Sequence, residues 1–234
     1  MPSHPLYAVV PAAGIGKRMQ TDIPKQYLTI NELPIIHYSI ETLLQHDEII
    51  KVIVVLSPED RWFEELAIAT HPKVQTVIGG VERADSVLSG LNILPAQGRV
   101  LVHDAARPCL TSADLDKLIN VQRDSQGAIL ACEVRDTMKR SNSDDMIECT
   151  VPREKLFHAL TPQLFDLTEL RQALSEALQQ GHSITDEASA MEWANHPVQL
   201  IIGRSDNIKV TRPEDLALAQ LFLAQQGRFK GVDL

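Results

Sequence analysis

Leu6-Tyr7-Ala8-Val9-Val10-Pro11-Ala12-Ala13-Gly14-Ile15-Gly16-Lys17-Arg18-Met19, followed closely by Pro24-Lys25-Gln26-Tyr27, is the stretch that decides the fold. The opening apolar run reads as a strand buried on both faces. At Pro11 it empties into small residues and cations. Ala12, Ala13, Gly14 and Gly16 leave backbone N–H groups open to close approach. Gly14 and Gly16 can adopt positive φ without a Cβ penalty. Successive N–H groups in such a turn form an anion-binding concavity. Between residues 11 and 27, Lys17, Arg18 and Lys25 stand against a single acid, Asp22, in a chain whose net charge is −9. That local inversion of sign marks a phosphate-binding loop.

Two familiar phosphate motifs do not fit the loop. A dinucleotide fingerprint needs a third glycine where Met19 stands. A Walker A loop needs four residues between its glycines and Ser or Thr after the lysine; here one residue separates Gly14 from Gly16, and Arg18 follows Lys17.

Outward from the loop, short β-branched runs alternate with amphipathic segments. Leu6–Val10, Val52–Leu56, Val74–Ile78, Arg99–His103, Ala128–Val134 and Gln199–Ile202 read as strands. Ser57-Pro58-Glu59-Asp60, Thr111-Ser112-Ala113-Asp114 and Thr211-Arg212-Pro213-Glu214 read as helix starts. Ala84, Val87, Leu88, Leu91 and Leu94 keep helical spacing. This rhythm predicts an α/β three-layer sandwich with a mostly parallel sheet, over residues 1–234 as one domain. Ligands in such folds sit beyond the carboxyl ends of the strands, which draws attention to Asp104. Asp104 could help hold Mg²⁺ or simply begin a helix. Gly80, Arg83 and Ser86 could serve a ligand or cap a helix. Asp206 is a weaker carboxylate candidate, and His103 reads as a packed neighbour. Residues 135–152 break the rhythm with a polar excursion, which is either a surface loop or an extended hairpin.

Bulk properties narrow the function. The acidic balance argues against nucleic acid as a partner. No apolar stretch approaches the ~18 residues of a membrane helix, and no signal-peptide pattern opens the chain, so a cytoplasmic protein is expected. Cys109, Cys132 and Cys149 are widely spaced, without zinc spacing, and read as buried free thiols.

The loop, with Pro24-Lys25-Gln26-Tyr27, resembles the sugar-nucleotide-type nucleotidyltransferases, which implies a Rossmann-like (GT-A-like) nucleotidyltransferase fold. Further motifs narrow this: Gly79-Gly80-Val81-Glu82-Arg83-Ala84-Asp85-Ser86-Val87, Val102-His103-Asp104-Ala105-Ala106-Arg107-Pro108, Val134-Arg135-Asp136-Thr137, Thr161-Pro162-Gln163, Thr185-Asp186-Glu187-Ala188 and Asp206-Asn207-Ile208-Lys209-Val210-Thr211. Together they resemble the 2-C-methyl-D-erythritol 4-phosphate cytidylyltransferase family; the ribitol 5-phosphate cytidylyltransferases are the alternative. The resemblance implies CTP and a polyol phosphate as substrates and Mg²⁺ or another divalent cation as cofactor. It implies Ala12, Ala13, Gly14, Ile15, Gly16, Lys17, Gly80, Arg83, Ser86, Asp104 and Ala105 around CTP, with Asp104 toward the metal. It makes Arg18, Lys25, Arg153 and Lys209 catalytic, with Arg107, Thr137, Arg153 and Lys209 holding the polyol phosphate. It also implies that the excursion is a β-arm exchanged in a homodimer. Val81 departs from the polar residue frequent in relatives.

Overall fold

Parity along the strands builds the layers. The structure, a computed structural model, describes residues 5–14, 23–121 and 127–229. The elements begin with β1 (Leu6–Pro11), a 3-10 turn (Lys25–Tyr27), the two-residue strands β2 (Thr29–Ile30) and β3 (Leu33–Pro34), and α1 (Ile35–Leu44). They continue with β4 (Ile49–Leu56), two 3-10 turns (Phe63–Glu65 and Ala67–Thr70), β5 (Val74–Ile78), α2 (Arg83–Asn92), β6 (Arg99–Val102) and α3 (Ser112–Ile119). Then come β7 (Gly127–Glu133), β8 (Met138–Ser141), β9 (Ile147–Val151), β10 (Phe157–Asp166), α4 (Leu167–Gln179), α5 (Glu187–Trp193), β11 (Gln199–Ile202) and α6 (Pro213–Gln225).

Ala8, Val10, Val52, Val54 and Leu101 face α1 and α3, through Ile36, Ile40, Leu115 and Leu118. The intervening Val9, Ile53, Val55, Val100 and Val102 face α2, α4 and α5, through Val87, Leu91, Leu170, Leu174 and Met191. Both faces are therefore buried, which explains the continuous apolar runs. A third cluster seats α6 on Ile30, Ile35 and Tyr38.

The seven-stranded sheet has the order β11-β7-β10-β6-β1-β4-β5. β1 pairs in parallel with β4 and β6, β4 with β5, and β11 with β7. β10 is antiparallel to both neighbours. The sequence pattern missed β10 because Pro162 interrupts it, and proline cannot donate to a ladder. The sheet absorbs the interruption as a register shift between Ala159 and Gln163.

Two further expectations are corrected. Ser57-Pro58-Glu59-Asp60 starts no α-helix: Asp60 N–H closes a turn on the Ser57 carbonyl. The Asp60 carboxylate then accepts from Trp62 and Phe63 N–H. An extended Leu66 between the two 3-10 turns lets Phe63 and Ile68 both reach the core. Cys132 is only half-buried, and Cys149 is exposed because no layer among the described residues covers β9. Gly14 does not use the positive φ open to it.

Residues 135–152 settle as a hairpin rather than a loop. β8 and β9 pair antiparallel from Met138↔Val151 to Ser141↔Ile147. The Asn142 side chain closes the tip by accepting from Asp144 and Met146 N–H, both at 3.0 Å. Every residue from 137 to 150 is exposed.

Candidate active site

β1 and β6 lie side by side and end together, so their following residues meet. Ala12 continues from β1 and is tied to β4 by its N–H on the Val55 carbonyl, 2.8 Å. His103 donates its N–H to the Val9 carbonyl, which carries Asp104 just past the strand end. One cleft at this edge is lined by Ala12, Ala13, Gly14, Lys25, Gly80, Arg83, Ser86, Asp104, Ala105 and Lys209. These expected residues, far apart in sequence, are brought together. Ile15, Gly16, Lys17 and Arg18 lie outside the described residues.

The 3-10 turn holds Lys25 in place. Buried Gln26 donates through Nε2 to the Ala12 carbonyl at 2.7 Å. The Tyr27 hydroxyl donates to Asp60 at 2.6 Å, and its ring stacks on Trp62. Lys25 Nζ donates to the Val210 carbonyl at 3.0 Å. The turn thus braces the loop's first residue and a cation at once. Gln26 was not anticipated as a site residue; its place beside Lys25 was the available signal.

Across the cleft, Ser86 on the first turn of α2 accepts from Gly80 N–H at 3.2 Å. A Cβ on Gly79 would lie 2.6 Å from Ser86 Oγ and 2.9 Å from Ala13 Cβ, so this approach needs glycine. Of the two readings of this segment, capping passes to its neighbours. The helix itself is capped by Glu82 and Asp85, with Glu82 N–H on Asp85 at 3.0 Å. Val81 stands almost wholly exposed at the cleft rim.

Asp104 is the electrostatic centre. Its Oδ1 accepts from Arg83 Nε at 3.1 Å; its Oδ2 meets Lys209 Nζ at 2.9 Å and Arg107 Nε at 3.4 Å. Burial alone would raise its pKa, but Arg83, Lys209 and Arg107 hold the carboxyl far below its usual range. Its backbone N–H donates to Thr161 Oγ1 at 3.0 Å. The Thr161 hydroxyl lies 2.9 Å from His103 Nδ1, and His103 Nε2 lies 3.1 Å from the Arg107 carbonyl. Donation from Nε2 to that carbonyl fixes the tautomer and leaves Nδ1 to accept from Thr161. His103 is fully buried, and burial brings its pKa down to about 4 against the pull of Asp104.

Arg107 sits deeper than its expected role requires. It is buried, with Nη1 donating to the Asn207 carbonyl at 2.8 Å. Together with Arg83, Asp104 and Lys209 it lines a second recess, closed by Thr161, Gln163, Thr185 and Asp186. Thr137 and Arg153 are exposed at the base of the arm, where Arg153 donates to the Arg135 carbonyl. Neither lines the cleft or the recess of its own chain. Asp206 is occupied by Arg204, at 2.9 and 3.1 Å.

The family model for 2-C-methyl-D-erythritol 4-phosphate cytidylyltransferase matches residues 6–225. The chain belongs to that family. A curated relative of the same description from Shewanella pealeana is 58% identical over 223 residues, covering 95% of this chain and 96% of the relative. The crystal structure of a 4-diphosphocytidyl-2C-methyl-D-erythritol synthase superposes with a TM-score of 0.80 at 34% identity, covering 94% of this chain and 99% of that one. The Francisella tularensis 2-C-methyl-D-erythritol 4-phosphate cytidylyltransferase structure gives 0.79 at 30% identity, covering 93% and 99%. These likenesses give no support to the ribitol 5-phosphate alternative. No helix among the described residues is long and apolar enough to cross a membrane.

Proposed function

We propose that this chain transfers CMP from CTP to 2-C-methyl-D-erythritol 4-phosphate, giving 4-diphosphocytidyl-2-C-methyl-D-erythritol and pyrophosphate. The observation that carries the reading is the convergence of Lys25, Lys209 and Asp104 in a glycine-walled cleft that shares Asp104 and Lys209 with a second recess. The substrate's phosphate oxygen attacks the α-phosphorus in line. That nucleophile arrives ionised, so the site must position two anions and neutralise charge rather than remove a proton.

In this reading Ala12, Ala13 and Gly14, with Ile15, Gly16 and Lys17, cradle the triphosphate. Gly80, Arg83, Ser86 and Ala105 bound the nucleoside. Lys25, with Arg18, offsets charge at the reacting phosphorus. Lys209 and Arg153 place the polyol phosphate, with Thr137 beside Arg153 and Arg107 holding Asp104 and the Lys209 segment from behind.

Among the described residues no group of three or more His, Cys, Asp or Glu could hold a metal by itself. Asp104 is kept ionised, and because Arg83, Lys209 and Arg107 already meet both its oxygens, a hard ion held there would displace one of these cations and take its remaining ligands from phosphate oxygens and water. Mg²⁺ or another divalent cation held there would neutralise triphosphate charge. The chain works in the cytoplasm as a homodimer whose arms complete each other's sites.

Pyrophosphate release from CTP in the presence of methylerythritol phosphate tests the reading, with ribitol 5-phosphate as rival acceptor and ATP, GTP and UTP as rival donors. Equal rates with ribitol 5-phosphate, or no preference for CTP, would overturn it.

A further inference from the structure

Glu187 lines neither the cleft nor the recess, yet its carboxylate is 1% exposed and wholly committed to the site. It opens α5, directly after Thr185 and Asp186 of the recess wall. Its two oxygens accept from Arg83 Nη1 at 2.7 Å and Nη2 at 3.1 Å. Arg83 Nε then reaches Asp104 Oδ1. Arg83 therefore spends two edges of its fork on different carboxylates. Although burial opposes it, Glu187 and Asp104 together hold the guanidinium's pKa above its ordinary value.

The consequence lies at the other Asp104 oxygen. Oδ2 receives Lys209, 2.9 Å away. Without Glu187, Nη1 would lose its partner in a half-buried setting and Nη2, already 3.1 Å from Asp104 Oδ1, would be left to Asp104 alone; a carboxylate is a guanidinium's best bidentate partner. Asp104 is the adjacent one, and a bidentate grip on it would take Oδ2 from Lys209.

We propose that Glu187 is a positioning residue: by clamping Arg83 on its far edge it confines Arg83 to Asp104 Oδ1 and reserves Oδ2 as the seat from which Lys209 meets the second substrate. The device acts on the polyol phosphate more than on CTP, because Arg83, which bounds the nucleoside, keeps its bond to Asp104 Oδ1 whether or not Glu187 restrains it. It rests on the role given above to Lys209.

The test is a double-mutant cycle in the full-length enzyme. Glu187→Gln keeps the shape and removes the charge. It should raise KM for methylerythritol phosphate roughly tenfold, the scale of coupling within one charge network, while the CTP dissociation constant from calorimetry stays within about twofold. In an Arg83→Met background the same change should bring no further rise, because the group it restrains is gone. A helix-stabilising role for Glu187 would instead add the same penalty in both backgrounds. An equal penalty in both, an unchanged KM for the polyol phosphate, or a parallel loss of CTP affinity would each overturn the proposal. If Glu187→Gln does not fold, Arg83→Lys serves, since a single ammonium cannot serve both carboxylates; an unchanged KM there overturns it too. Lys209→Met checks the underlying reading separately. An unaffected polyol KM removes that reading, whereas an effect there but none from Glu187→Gln removes only the role of Glu187.

Discussion

Lys25 is held from three directions: by its own bond to the Val210 carbonyl, by Gln26 on Ala12, and by Tyr27 between Asp60 and Trp62. A carbonyl oxygen is a weak partner for an ammonium compared with a phosphate, so the charge is pre-positioned but transferable. Lys25→Ala should lower kcat by about 10²–10³, the scale of losing one donor at a developing oxyanion, with an unaltered melting temperature; a kcat near that of the wild type removes Lys25 from the chemistry. His103 invites a different measurement. Its imidazole is neutral when folded, with a pKa of about 4 against an ordinary 6.5. The unfolded chain therefore binds more protons between those values, and stability falls as the pH drops from about 6.5 to about 4. The depressed Asp104 acts in a separate window, below its ordinary 3.8. Urea midpoints at pH 7 and 4.5 should differ less for His103→Gln than for the wild type, by up to about 3 kcal/mol of the wild-type loss. Equal differences would show that His103 does not carry that part of the acid sensitivity. Sequence alone exposed Lys25 and Asp104, because one follows a glycine loop and the other ends an apolar run. It placed Glu187 within a motif but could not pair it, since its partner Arg83 lies 104 positions away.

At the scale of elements, α2 shows how closely the cleft wall is fitted to the sheet. Gly90 faces β1 and β4, and a Cβ there would meet Val9 Cγ1 at 2.7 Å and Val55 Cγ2 at 3.0 Å. Both valines are fully buried and cannot move aside. A mid-helix Gly→Ala change ordinarily stabilises by up to ~1 kcal/mol. Here overpacking should reverse the sign, and Gly90→Ala should destabilise by about 1–3 kcal/mol in urea unfolding. It should also raise the CTP dissociation constant, since Arg83 and Ser86 ride on the same helix. A more stable variant would mean that α2 is looser than its contacts indicate. The strands of the parallel part were legible because burial on both faces leaves a continuous apolar run. β10 was not, since a proline breaks the run and the repair is made by neighbouring strands. The segment after β4 was misread because Ser57-Pro58-Glu59-Asp60 carries the signature of a cap, while the buried Phe63 and Ile68 decide in favour of two short turns.

For the whole molecule, the arm sets the question of stoichiometry. A two-stranded hairpin has little stability alone, and this one projects with Met146 and Ile147 two-thirds exposed. Among the described residues, neither face of β8 or β9 finds a core in its own chain. In the proposed homodimer a second copy of the chain would supply the cover, in keeping with closed two-fold pairing, and would set Thr137 and Arg153 against the site that contains Lys25 and Lys209 of the other subunit. Shared sites make a prediction that self-contained sites do not. Lys25→Ala and Arg153→Ala homodimers should each be nearly inactive. When the two chains are unfolded together and refolded, a mixed dimer has one site carrying both lesions and one site carrying neither. Random pairing makes half the dimers mixed, so the mixture should recover roughly a quarter of wild-type activity. If Lys25 and Arg153 of the same chain served one site, every site in every dimer would carry one lesion and no activity would return. Mixing either variant with itself fixes the baseline, and sizing by light scattering confirms that the refolded material is dimeric before the rates are compared.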